Sequence, residues 1–187
     1  QGTATIKSAT VYTEGTAAGT PIEGEEKAYR TYNFEGTGLK IKTVTTFVYG
    51  SEGQLWHSDT TRNATHTGTP NATDPTLEIA AAQTLGTVKS ITYYTGAENE
   101  EKAFGTKDFG YNGNWKSTTI FTYDLTSGAL ISSKTFRHSS TSTDAFTTGT
   151  TPTWSQGTAT IKSVTVYTDG TAAGTPIEGE EKAYRTY

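Results

Sequence analysis

The chain has 187 residues, a net charge of −4, no cysteine and no methionine, and only 32% of it is hydrophobic. The lack of cysteine excludes disulfides, thiolate metal sites and cysteine nucleophiles. Scattered single Lys and Arg residues on a net-acidic chain leave no basic track for nucleic acid, and no apolar run reaches the roughly 18–20 residues of a membrane span.

Threonine is the commonest residue, and 11 Tyr, 7 Phe and 3 Trp stand in for the missing aliphatics. Each ring buries a large area, so a thin aromatic core is expected. Thr, Tyr, Val and Ile suit a pleated surface, which predicts an all-β fold.

In chain order, residues 5–13 form the first expected strand, with Ile6, Ser8, Thr10 and Tyr12 alternating against Lys7, Ala9, Val11 and Thr13. Residues 27–34 form the second, carrying Tyr29 and Tyr32. Residues 39–49 alternate over their whole length, with Leu39, Ile41, Thr43, Thr45, Phe47 and Tyr49 on one face. That period of two is the mark of a half-buried strand. Gly50-Ser51-Glu52-Gly53 then turns into a fourth strand at 54–61, since both glycines tolerate positive φ.

Residues 64–75 are a polar connector, and 77–85 (LEIAAAQTL) read as extended, with a short helix capped by Asp74 as the alternative. The four-strand scheme then recurs at 87–95, 102–109, 115–123 and 129–136, followed by a second connector at 139–152. TIKSATVYT is echoed by TVKSITYYT, EEKAYRTYNF by EEKAFGTKDF, TTFVYGSEGQL by TIFTYDLTSGAL, and Arg62 by Arg137. Finally, residues 1–32 return as 156–187 with only Ala9/Val164 and Glu14/Asp169 changed. The expected architecture is a tandem array of antiparallel β units, sandwich-like or stacked hairpins: A (1–82), B (83–155) and A′ (156–187). On this reading the sequence is an excerpt of a longer array, and the open edge of A′ is completed by further chain or by strand donation.

The chemistry-bearing residues are few. His57, His66 and His138 do not occupy equivalent positions in the two halves, and nothing resembles a nucleophile elbow, so no catalytic residue is assigned. The acidic run Glu23, Glu25 and Glu26 recurs as Glu178, Glu180 and Glu181; it reads as a solvated turn, with weak calcium binding or glycosidase-like acid–base chemistry as the alternatives. Asn63 and Asn71 head N-x-Thr sequons in a polar connector and are glycosylation candidates. The strand aromatics are expected in the core, with Trp56 the exception and a candidate glycan contact. No cofactor is expected.

The run Tyr123-Asp124-Leu125-Thr126-Ser127-Gly128-Ala129-Leu130, preceded by Gly113-Asn114-Trp115, resembles a YD repeat of the Rhs/YD family, and residues 49–55 are a degenerate second instance with Gly50 in place of Asp. The resemblance implies laterally stacked hairpins in an extracellular or cell-surface protein. Together these readings predict a non-catalytic, glycosylated segment of an extracellular tandem-repeat filament or adhesin stalk that associates with itself. A carbohydrate-binding β-sandwich module of a cell-surface protein is the alternative.

Overall fold

A computed structural model of the chain describes residues 5–15, 21–64, 79, 83–139, 145–147, 152–171 and 174–187. The fold is all-β. Its strands are β1 (Ser8–Thr13), β2 (Lys27–Phe34), β3 (Ile41–Tyr49), β4 (Leu55–Asn63), β5 (Leu85–Thr95), β6 (Lys102–Phe109), β7 (Trp115–Tyr123), β8 (Leu130–Arg137), β9 (Ala145–Thr147), β10 (Thr153–Ser155), β11 (Thr160–Thr168) and β12 (Lys182–Thr186). Ten of them form one sheet in the order β1-β2-β3-β4-β5-β6-β7-β8-β11-β12, and β9 and β10 pair separately. Successive strands are neighbours from β1 to β8 and again from β11 to β12, which is what short turns between alternating segments impose, and β11 joins β8 past the separate β9–β10 pair.

Two compact units divide the chain, residues 1–91 with 111–113, and residues 92–110 with 114–187. In the first unit the strand registers align Ala9, Tyr32, Val44 and Thr61 across β1 to β4. Tyr32, Phe34, Ile41 and Val44 form its buried cluster, with Ile6, Ala9 and Ile79 packed against it. Ile79 belongs to the 77–85 stretch, most of which lies outside the described residues. The alternate residues align Thr10, Thr31, Thr45 and Thr60 across the same strands, and their hydroxyls bond in pairs, Thr10 to Thr31 at 2.9 Å and Thr45 to Thr60 at 2.9 Å. One threonine per strand at the same level explains the composition: each cross-strand pair is worth about 0.2–1 kcal/mol over Ala–Ala.

The second unit repeats the device. Thr106, Thr119, Thr135 and Ser163 align across β6, β7, β8 and β11, with Thr92–Thr106 and Thr119–Thr135 hydroxyl bonds of 3.0 Å. Its buried side chains include Tyr93, Phe136, Thr118 and His138. The connector expected as loop over 139–152 is corrected in part: Ala145–Thr147 is strand β9, paired with β10. The β10 residue Trp154 lies against Phe136 with ring centroids 4.5 Å apart. A sheet needs its apolar face covered, and Trp154 of the β9–β10 pair covers Phe136.

Three lysines mark irregularities of register. Phe34 opposes Ile41 while Asn33 opposes Thr43, so Lys42 is the extra residue of a β-bulge. Lys116 and Lys162 occupy the same kind of position in β7 and β11. Bulges re-aim side chains and are retained where that direction matters.

Candidate functional site

The EEKA segments and the hairpin turns they precede build the most regular polar site of the molecule. In the first unit Tyr49, at the end of β3, donates its hydroxyl to the Ala28 carbonyl at 2.9 Å. Lys27 reaches the Gly53 carbonyl at 2.9 Å, and its ammonium lies 5.4 Å from the centre of the Tyr49 ring. The second unit reproduces this atom for atom: Tyr123 donates to Ala103 at 2.9 Å, Lys102 to Gly128 at 2.8 Å, and the ammonium stands 5.6 Å from the Tyr123 ring. The tyrosine closes its own hairpin onto the preceding strand, and the lysine ties the turn to the strand start.

The two turns reach the same outcome by different chemistry. In the second, Asp124 Oδ1 accepts from the Thr126 and Ser127 amides at 3.0 and 2.7 Å and from the Ser127 hydroxyl at 2.9 Å. The Ser127 amide, then its hydroxyl and the Thr126 amide, hold the Asp124 carboxyl below the ordinary carboxylate range. In the first turn Gly50 replaces that Asp, and Gln54 Oε1 accepts the Glu52 amide instead at 3.2 Å. Both turns close on a glycine at positive φ, Gly53 at 85° and Gly128 at 72°. Gly50 is needed for another reason: a Cβ there would stand 2.4 Å from Trp56 Nε1.

Onto the second turn docks the acidic segment of A′. Glu181 Oε1 accepts the Leu130 amide at 2.9 Å while its other oxygen accepts the Gly179 amide at 3.0 Å. Glu178 pairs with Lys102 at 2.5 Å. The Leu130 amide first, with the amides of Glu181 itself and Gly179 and the charge of Lys102, holds the Glu181 carboxyl below its usual value. Tyr123 is pushed the other way, by burial and then by Glu181 and Tyr167. These carboxylates and Lys102 form a clasp between a hairpin turn of B and residues 178–181 of A′, reinforced by β11 pairing with β8.

The sign of the pH response follows. A carboxyl depressed in the folded state stabilises above the unfolded value of about 4.3 and loses that contribution as pH falls through its folded value. Facing it are Glu178, Lys102 and Tyr123, with Tyr167 beside Tyr123. The Leu130 amide proton in an NMR titration is expected to shift with an inflection below the ordinary carboxylate range, and Glu181→Gln should abolish that inflection while leaving β7 and β8 paired. An unshifted Leu130 amide in Glu181→Gln would remove the clasp.

The earlier Glu23, Glu25 and Glu26 lie exposed before β2, Glu26 accepting the Gly24 amide at 2.9 Å as Glu181 does that of Gly179. Among the described residues no three carboxylate or imidazole groups gather to hold a metal. His57 Nδ1 lies 2.8 Å from Asp59; His138 is buried, 2.7 Å from the Thr118 hydroxyl and stacked on Trp115; His66 lies outside the described residues. Asn63 donates its side-chain amide to the Ile41 carbonyl and to Gln83 at 3.3 and 2.7 Å, bonds that a glycan on that nitrogen would disrupt. Asn71 lies outside the described residues. Trp56 sits half-buried over the Gly50 turn with its Nε1 enclosed and without a partner. The docking role of the acidic run was missed in the sequence, though its position beside Lys102 and Lys182 in each copy of EEK was the available signal.

No family model matches the chain, and neither a curated protein nor a solved structure is significantly similar to it.

Proposed function

We propose that the chain is a non-catalytic structural segment of an extracellular tandem-repeat filament or adhesin stalk, whose β units join edge to edge. One observation carries this reading: two near-identical segments occupy opposite situations. The copy at 156–187 lays β11 along β8, Thr165 opposite Ser133 and Val166 opposite Ser132, and Tyr167 shares a hydrogen bond of 3.3 Å with Ser133. The copy at 1–32 places β1 at the end of the sheet order, where Val11 and Tyr12 are 37% and 54% exposed. Identical residues have identical affinities, so a B-type hairpin preceding β1 would be bound as β11 binds β8. An uncovered edge of this kind is a template for another strand. Glycans on Asn71 and on the Ser/Thr-rich connectors would protect such a filament from proteolysis.

The test places a further copy of residues 83–155 before residue 1 of the full chain. Hydrogen exchange should then show β1 amides, fast in the parent, slowing to match those of β11. A folded added unit that leaves β1 unprotected overturns edge pairing. Electron microscopy of native material should show filaments with an axial period of one A–B pair, and discrete particles would overturn the filament.

A further inference from the structure

The bulge lysines converge on a feature outside the clasp. In the first unit a groove of about 640 Å³ is lined by Lys42, Arg62 and Lys89, with Thr43, Glu35 and Tyr111. In the second unit a smaller groove of about 310 Å³ is lined by Lys116, Arg137 and Lys162, with Ser117 and His138. These residues correspond position by position: a bulge lysine on β3 or β7, an arginine on β4 or β8, and a lysine on β5 or β11, beside one hydroxyl side chain.

Three neighbouring strands thus bring three cations to one groove, with one lining carboxylate in the first and none among the described residues in the second. That carboxylate is Glu35 in the first groove, where it accepts from Thr37 at 2.9 Å. Asp108, outside the lining of the second, accepts from Ser117 at 3.3 Å. Gathering like charges costs free energy, and two of the three cations in the second groove sit at bulges that interrupt the sheet ladder. Arg62 also braces the sheet, donating to the Val88 carbonyl of β5 at 2.8 Å, whereas the bulge lysines sit where the ladder is interrupted. Meanwhile the neighbours differ between the units, Asn63 for His138 and Thr43 for Ser117, while the cations stay.

Each groove also has a ring in its lining, Tyr111 in the first and His138 in the second. Tyr111 is 85% exposed and lies over Arg62, the guanidinium 4.3 Å from its ring centre. In the second, the His138 ring is held by stacking on Trp115, which lies outside the lining, at 4.0 Å. Cations beside a ring and a hydroxyl suit an acidic sugar: the cations take its carboxylate or sulfate, and the ring takes the apolar face of the pyranose. Nucleic acid fits less well, because its binding rests on a track of many phosphate contacts, and each groove gathers three cations.

We propose that each unit carries one binding site for an acidic polysaccharide, at the Lys42–Arg62–Lys89 groove and at its counterpart Lys116–Arg137–Lys162. The site does not depend on the filament reading, since a single chain holds both grooves.

The experiment titrates the full chain with a polyuronate, dextran sulfate, neutral dextran and single-stranded DNA at physiological salt, following backbone amide shifts by NMR. Shifts confined to residues around the two grooves are expected with the polyuronate or dextran sulfate, the stronger of the two naming the acid group, and none with neutral dextran. Affinity should fall as salt rises, by screening. Lys116→Gln and Lys42→Gln should each weaken binding by up to about fivefold, the worth of an exposed ion pair. Lys134→Gln, an exposed lysine of β8 outside the groove, should leave it unchanged. Equal loss in Lys134→Gln, absence of shifts at the grooves with both acidic sugars, or tighter binding of DNA would overturn the proposal.

Discussion

Ile41→Ala is expected to destabilise the first unit by about 2–5 kcal/mol, the range for emptying a fully buried aliphatic position. Ile41 is fully buried in a cluster with Tyr32, Phe34 and Val44, against which Ile6, Ala9 and Ile79 pack among the described residues. A core that small has few other contacts to spread the loss across, and the hydrogen-bonded ladders on either side limit how far β3 can collapse into the cavity. Ile41→Val should cost about 0.5–1.5 kcal/mol. Urea unfolding measures the total, and hydrogen exchange locates it: amides of β2, β3 and β4 should lose protection before those of β7 and β8. A loss below about 0.5 kcal/mol, the level of an ordinary surface substitution, would mean that the cluster does not hold the unit together.

His138→Ala should destabilise the second unit by about 2–4 kcal/mol, combining a lost aromatic stack with a buried hydroxyl deprived of its partner. Here the two halves solve one packing problem differently. Where the first unit has Ile41, Val44 and Asn63, the second has Trp115, Thr118 and His138. Thr118 is fully buried, its hydroxyl bonded to His138 Nε2 at 2.7 Å, and the imidazole stacks on Trp115 at an interplanar angle of 17°. The substitutions are therefore coupled. Thr118→Val alone removes the hydroxyl and should cost about 1–3 kcal/mol, whereas Thr118→Val with His138→Asn restores the first unit's combination and should cost less than the two singles summed. A coupling of about 0.5–3 kcal/mol is expected from the cycle. Strict additivity would show that the hydrogen bond contributes nothing.

Much of the fold was legible because strand periodicity is a local property. The alternation from Ile41 to Tyr49 reports its own conformation, and the second copy of the pattern, ending in Tyr123, is an independent reading of the same element. Gly53 and Gly128 announced the turns because few other residues adopt positive φ without strain. His138 was not legible as a core residue, since a polar side chain enters a core only when a partner such as Thr118 is brought to it across the sheet. Nor were the bulges: a lysine carries no mark of being unpaired until the opposing strand is in register.

By itself the sequence determined which segments are strands, where they turn, and that the units repeat, because period two and glycine positions act within a few residues. Burial and partnership were decided by the neighbouring strand. Tyr32 and Tyr187 occupy the same place in the same repeated segment, yet Tyr32, opposite Val44 of β3 and clustered with Phe34 and Ile41, is 8% exposed while Tyr187, with no such strand beside it among the described residues, is 69% exposed. The acidic run shows the same division. Glu26 and Glu181 each brace their own turn through a glycine amide, and Glu181 additionally clasps Leu130 because β8 lies next to β11. Identical side chains acquire different roles there because a hydrogen bond or an apolar contact needs a second group within a few ångströms, and only the tertiary arrangement supplies it.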